Sequence, residues 1–169
     1  MNYKTFYTHA YSLFDRVTPL LGDCGTMCEN ACCMGDDESG MYLFPGEECM
    51  FTPMPGNMKI ETSSFEYSDD KYADILLCRP YCDRRRRPLA CRIFPLLPYI
   101  TEEGKLKIIM DPRGKNMCPL AAAAEPSQLN SEFVRRVTYL GKIMVRDKVL
   151  FEYLEQLSRL TDDYFGGLL

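Results

Sequence analysis

Four cysteines fall within ten residues, at Cys24, Cys28, Cys32 and Cys33, and five more follow at Cys49, Cys78, Cys82, Cys91 and Cys118. No other feature limits this chain of 169 residues as strongly, because crowded thiols must pair, be buried or hold a metal, and each choice calls for a different structure. The first group lies in Cys24-Gly25-Thr26-Met27-Cys28-Glu29-Asn30-Ala31-Cys32-Cys33, among turn residues and a charge rather than in an apolar period. Close packing of a core does not ask for that pattern.

The compartment decides between pairing and ligation. The segment from Met1 to His9 has no basic start followed by an apolar run and no small-residue cleavage site. No stretch approaches the roughly 20 uninterrupted apolar residues that cross a bilayer. The expected location is the cytoplasm, with no membrane partner. Thiols stay reduced there, and a dense set ligates metal more readily than it forms disulfides. The odd count of nine agrees. In a secreted chain the rival would be four disulfides with one thiol left over.

If residues 24 to 32 are helical, Cys24, Cys28 and Cys32 follow at steps of four and share a face. Cys33 would then point about 100° away. Cys78, Cys82, Cys91 and Cys118 form a second group, with Cys49 isolated between the two. Eight thiolates make two four-sulfur sites, and all nine with bridging sulfurs make one multinuclear zinc cluster. For Cys49 and Cys78 a buried, unliganded thiol is an equal contender, since cysteine packs as a small hydrophobe. Zinc leads because it accepts all-sulfur tetrahedral sites with ligands scattered in sequence. An iron–sulfur cluster, which also takes four thiolates, is the alternative.

Arg84, Arg85, Arg86 and Arg87 stand in a row between two candidate ligands. They read either as a solvated or phosphate-binding loop or as guanidinium groups that donate to thiolate sulfur and favour its anionic form. The net charge of -4 and pI near 5.1 oppose a nucleic-acid partner, which needs a basic surface. No protein partner is legible. Enzymatic signals are thin: His9 is the lone histidine, on a helix of apolar and aromatic neighbours, and Gly166-Gly167 has no strand before it to build a phosphate loop.

Apolar spacing of three and four from Tyr3 to Leu21 predicts an amphipathic helix ending near Pro19. Residues 22 to 55 read as an irregular stretch shaped by metal, and a short helix is expected from Asp70 to Leu77. Tyr99-Ile100-Thr101 and Leu106 to Met110 flank a Gly104 turn and predict a β-hairpin. Helical periodicity returns after Cys118, through Phe133, Val134, Val137, Leu140, Ile143 and Met144, then Val149, Leu150, Tyr153, Leu154, Leu157 and Leu160. The expected fold is α+β: a helix-dominated single domain over 1–169, with an irregular cysteine-rich metal-binding N-terminal half, a metal region at about 22–120, a short β-hairpin and a helical C-terminal part at about 127–165.

Arg87-Pro88-Leu89-Ala90-Cys91-Arg92-Ile93-Phe94-Pro95, with the Cys32-Cys33 pair upstream, resembles the CxxCxxCC family of zinc- or iron-chelating proteins. In that family a cysteine cluster ending in a pair precedes an RPxxCRxFP-like stretch by some tens of residues. Cys24, Cys28, Cys32 and Cys33 match the first element by type and order, Cys82 approximates the intervening cysteine, and Cys91 matches the cysteine of the second element. The resemblance covers roughly residues 24 to 95, and each gap of the first cluster is one residue longer than the family name. It implies metal chelation rather than a reaction. Similar cysteine patterns occur in a flagellin lysine N-methylase. The function expected is therefore metal binding of unassigned role, with zinc held by clustered thiolates. The alternative is an iron–sulfur protein with a redox or methyltransferase-related activity.

Overall fold

The computed structural model describes residues 1–33, 40–78 and 84–165. Helix α1 spans Tyr3–Ser12 and is opened by Asn2, whose side chain accepts from the Thr5 amide. Strands β1 (Gly40–Tyr42), β2 (Met58–Ser68) and β3 (Lys71–Cys78) form an antiparallel sheet in the order β1-β3-β2. A short helix α2 (Leu89–Ile93) leads into β4 (Leu96–Ile100), which pairs antiparallel with β5 (Leu106–Met110). Helices α3 (Pro119–Ala123), α4 (Ser131–Met144) and α5 (Lys148–Phe165) complete the chain.

This architecture corrects the expected fold. The N-terminal half is not irregular throughout: Ile60 faces Leu76 and Met41 faces Leu76 from the other side, so β3 is hydrogen-bonded along both edges. It also closes a small core of its own, from Leu43, Phe51, Met58 and Leu76. Two sheets, not one hairpin, accompany five α-helices among the described residues. The helix expected over Asp70 to Leu77 is strand β3. Asp70, at φ 57°, makes the left-handed turn that sends β2 back as β3, and two neighbouring strands then override the weak helical spacing.

Helix α1 also stops earlier than Pro19. Beyond Ser12 the backbone is taken up by α4: Arg136 donates to the Leu13 carbonyl, the Asn130 amide to the Pro19 carbonyl at 2.8 Å and Asn130 Nδ2 to the Thr18 carbonyl at 3.2 Å. Leu21, counted on the apolar face, is left 95% exposed.

The main core brings Phe6, Tyr7, Ala10 and Phe14 against Phe133, Val137, Leu140 and Met144 of α4 and Leu150, Tyr153, Leu154 and Leu157 of α5. Their three-and-four spacing turns one stripe of each helix inward. The β4–β5 hairpin lies under this layer, where the buried Ser158 hydroxyl of α5 accepts from the Ile100 amide at 2.8 Å and donates to the Leu154 carbonyl at 2.7 Å. An edge amide that burial would otherwise strand is thereby satisfied. Gly104, at φ 73°, sits in the hairpin turn that needs left-handed backbone. None of the helices among the described residues is long and apolar enough to cross a membrane.

Candidate functional site

The first cysteine cluster is two tight turns, not a continuous helix. Asp23 caps the first, Cys24–Met27, by accepting from the Gly25 amide at 3.0 Å. Glu29 and Asn30 then adopt left-handed backbone, at φ 51° and 61°, which no helix tolerates. A second turn, Ala31–Cys33, follows. The shared helical face expected for Cys24, Cys28 and Cys32 is absent, though all three still border one cavity.

They line a cavity of about 540 Å³ together with Cys91 and Cys118. Cys91 arrives on α2. Cys118 precedes α3, and its amide donates to the Gly114 carbonyl at 2.9 Å. The two expected groups, 24 to 33 and 78 to 118, are thus redistributed: members of both face the same space. Among the described residues no three His, Cys, Asp or Glu side chains form a group that could hold a metal ion, and no disulfide joins the cysteines there.

Cys49 and Cys78 lie apart from the cavity. Cys49 sits on the turn Glu47–Phe51 against the main core, where burial pushes its thiol up. Cys78 ends β3, opposite Met58, against the smaller core. Cys82 lies outside the described residues.

Cys33 does not line the cavity. It was expected to diverge from Cys32, but the two Sγ atoms are 3.7 Å apart, and Arg87 donates through Nη2 to Cys33 Sγ. The hydrogen bond with Cys33, and then burial, hold the Cys32 thiol well above its ordinary range. Arg87 Nε is buried and has no hydrogen-bond partner among the described residues.

The arginine run forms a turn over Arg84–Arg86, and a residue outside it, Arg92, fixes its place. Arg92 donates to the Arg87 carbonyl at 2.8 Å, the Arg85 carbonyl at 2.6 Å and Asp15 Oδ1 at 3.2 Å, while its guanidinium lies 4.2 Å from the centre of the Tyr11 ring. Arg85, Arg87 and Arg92 all reach the cavity wall, so the cations and the thiols share one space.

Glu47, which carries no sequence signal, underlies α2. It is fully buried, with Oε1 accepting from Tyr11 Oη at 2.7 Å and from the Leu89 amide, and Oε2 from the Phe44 amide at 3.0 Å. Burial pushes its carboxyl up to about 7 despite those three donors and Arg92. The carboxyl ties α1 to the first turn of α2 and so sets where Cys91 and Arg92 project. A buried acid between Gly46 and Glu48 looks like any surface acid in sequence, and only its neighbours in space distinguish it.

Comparison with protein-family models, with curated proteins and with solved structures returns no match.

Proposed function

We propose that this chain binds a thiophilic metal ion, zinc, at a single centre in the cavity, with donors drawn from Cys24, Cys28, Cys32, Cys91 and Cys118. What supports the reading is that five thiols from three separate parts of the sequence line one space. Four thiolates suffice for a closed tetrahedral site. The resemblance to the CxxCxxCC family points to the same chemistry. Bound zinc would tie the N-terminal turns, α2 and the start of α3 together, and the arginines in the wall would offset the negative charge of a tetrathiolate centre. Such a module fits the reducing cytoplasm, where the thiols remain available.

The cavity's volume favours one second reading. About 540 Å³ is far more space than a single ion needs, and an iron–sulfur cluster held by four of the same thiols would use more of it.

Elemental analysis of protein purified anaerobically tests both readings. The expected result is about one zinc per chain, lost on serine substitution at Cys28, Cys91 or Cys118 and retained in Cys49→Ser and Cys78→Ser. Brown protein containing iron and acid-labile sulfide would replace zinc with the cluster. Protein without stoichiometric metal, or with metal content indifferent to all five substitutions, would overturn the proposal.

A further inference from the structure

We propose that the cavity lined by the thiols also binds a small organic phosphate, a phosphate monoester on an apolar body, with Arg85 and Arg87 as its donors. The phosphate reading stands without a metal, and only its coupling to zinc rests on the metal reading above.

Three observations carry it. The first is charge. Among the described residues that line the cavity, the three guanidinium groups of Arg85, Arg87 and Arg92 stand against one carboxylate, that of Asp15, in a chain whose net charge is -4. Three cations less one carboxylate leave an excess of two in one recess. A phosphate monoester, at about -1.5 to -2 near neutral pH, matches that excess better than a carboxylate with a single charge. The guanidinium fork also fits phosphate oxygens in geometry. The second is preorganisation. The Arg92 side chain, 7% exposed, ties down the backbone of both donors, at the Arg85 carbonyl and the Arg87 carbonyl, so little of the turn remains to be ordered on binding. Arg87 is held further by its Nη2 bond to Cys33 Sγ, and its buried Nε has no hydrogen-bond partner among the described residues. A buried donor left unmet carries a penalty, which a phosphate oxygen beside it relieves.

The third is shape. A volume of about 540 Å³ lies in the range of small-molecule sites, and Phe14, Val17, Phe94 and Leu120 line it beside the arginines. Inorganic phosphate leaves that apolar wall uncovered, so the wall selects an ester whose organic group covers it. A zinc centre with four thiolates carries about -2 and draws on the same guanidinium groups. Zinc and the phosphate therefore oppose each other's binding, by equal factors in the two directions.

The test uses the full chain, reduced and stripped of metal with a chelator, its fold checked by circular dichroism, and titrated calorimetrically with phenyl phosphate, inorganic phosphate and benzoate. Phenyl phosphate is expected to bind at one site per chain, about tenfold tighter than either of the other two. Arg85→Gln weakens it about tenfold. Arg86→Gln, at an exposed neighbour that does not line the cavity, changes it less than about twofold. No saturable binding of phenyl phosphate up to about 10 mM overturns the site. Inorganic phosphate or benzoate binding as tightly as phenyl phosphate overturns the ligand class, and the unsubstituted chain decides both points even if a variant fails to fold. Equal weakening in Arg85→Gln and Arg86→Gln would reduce the effect to diffuse charge and refute the assigned donor. Zinc-loaded protein is then titrated in the same way. Binding about tenfold weaker than in stripped protein is expected, and equal affinity removes the coupling. A chain that never takes up zinc overturns the metal reading and the coupling with it, while the titration of stripped protein still decides the phosphate site.

Discussion

Tyr11 donates its hydroxyl to Glu47 Oε1 at 2.7 Å, and this bond joins the first helix to the carboxyl that holds α2 in place. Tyr11 also carries the Arg92 guanidinium on its ring. Tyr11→Phe keeps most of the ring surface and deletes one of three donors to a buried acid. The expected cost is about 1–3 kcal/mol of unfolding free energy. The penalty should be larger at pH 8 than at pH 5, because the ionised carboxyl needs the donor more. Urea unfolding at the two pH values measures it, and equal costs would show that the bond contributes nothing to charge stabilisation.

Glu47 itself gives stability a pH dependence of predictable sign. Its folded carboxyl titrates near 7, above the ordinary value of 4.5, with burial as the main cause. Between those limits the folded state binds more protons than the unfolded one, so this contribution is full below about pH 4.5 and is lost as pH rises through 7. The swing amounts to about 3 kcal/mol. Glu47→Gln should flatten the fall in stability between pH 5 and pH 8. An unchanged slope in that variant would assign the pH dependence to other groups.

Gly46 precedes Glu47 and adopts φ 82°, with the Tyr3 ring so close that an added Cβ would lie 2.3 Å from it. Gly46→Ala meets both left-handed strain and a ring fixed on α1. A loss of about 1–3 kcal/mol is expected. Thermal melts of Gly46→Ala and of Gly46→Ala with Tyr3→Ala separate the two causes: the second change should recover the steric part only.

Legibility in the sequence followed the range of the interactions. The stripes of α4 and α5, such as Phe133, Val137, Leu140 and Met144, repeat locally and could be read before the fold was known. Strand β3 could not, because its conformation depends on β1 and β2, which pair with it from elsewhere in the chain. The cysteines were visible as a group, but not their distribution. Left-handed Glu29 and Asn30 undo the helical face, and the company of Cys24, Cys28 and Cys32 with Cys91 and Cys118 is a product of tertiary folding. Glu47 was invisible for the same reason, since its identity as a buried acid comes from Tyr11, Phe44 and Leu89 around it.

Arg92 offers a test of what positions the arginine turn. Its three hydrogen bonds reach the backbone at Arg85 and Arg87 and the carboxylate of Asp15, and its guanidinium carbon lies over the Tyr11 ring. A lysine retains the charge but has neither the fork nor the flat face, so it cannot hold two carbonyls and a ring at once. Arg92→Lys should therefore lose about 2 kcal/mol of stability and release the turn at Arg85 and Arg86. The release has a direct readout, because trypsin cuts after exposed arginines: limited digestion at these two positions should accelerate severalfold while cleavage within α4 keeps its rate. Acceleration at both places would indicate global loosening, and no acceleration at the turn would mean that Arg92 does not position it.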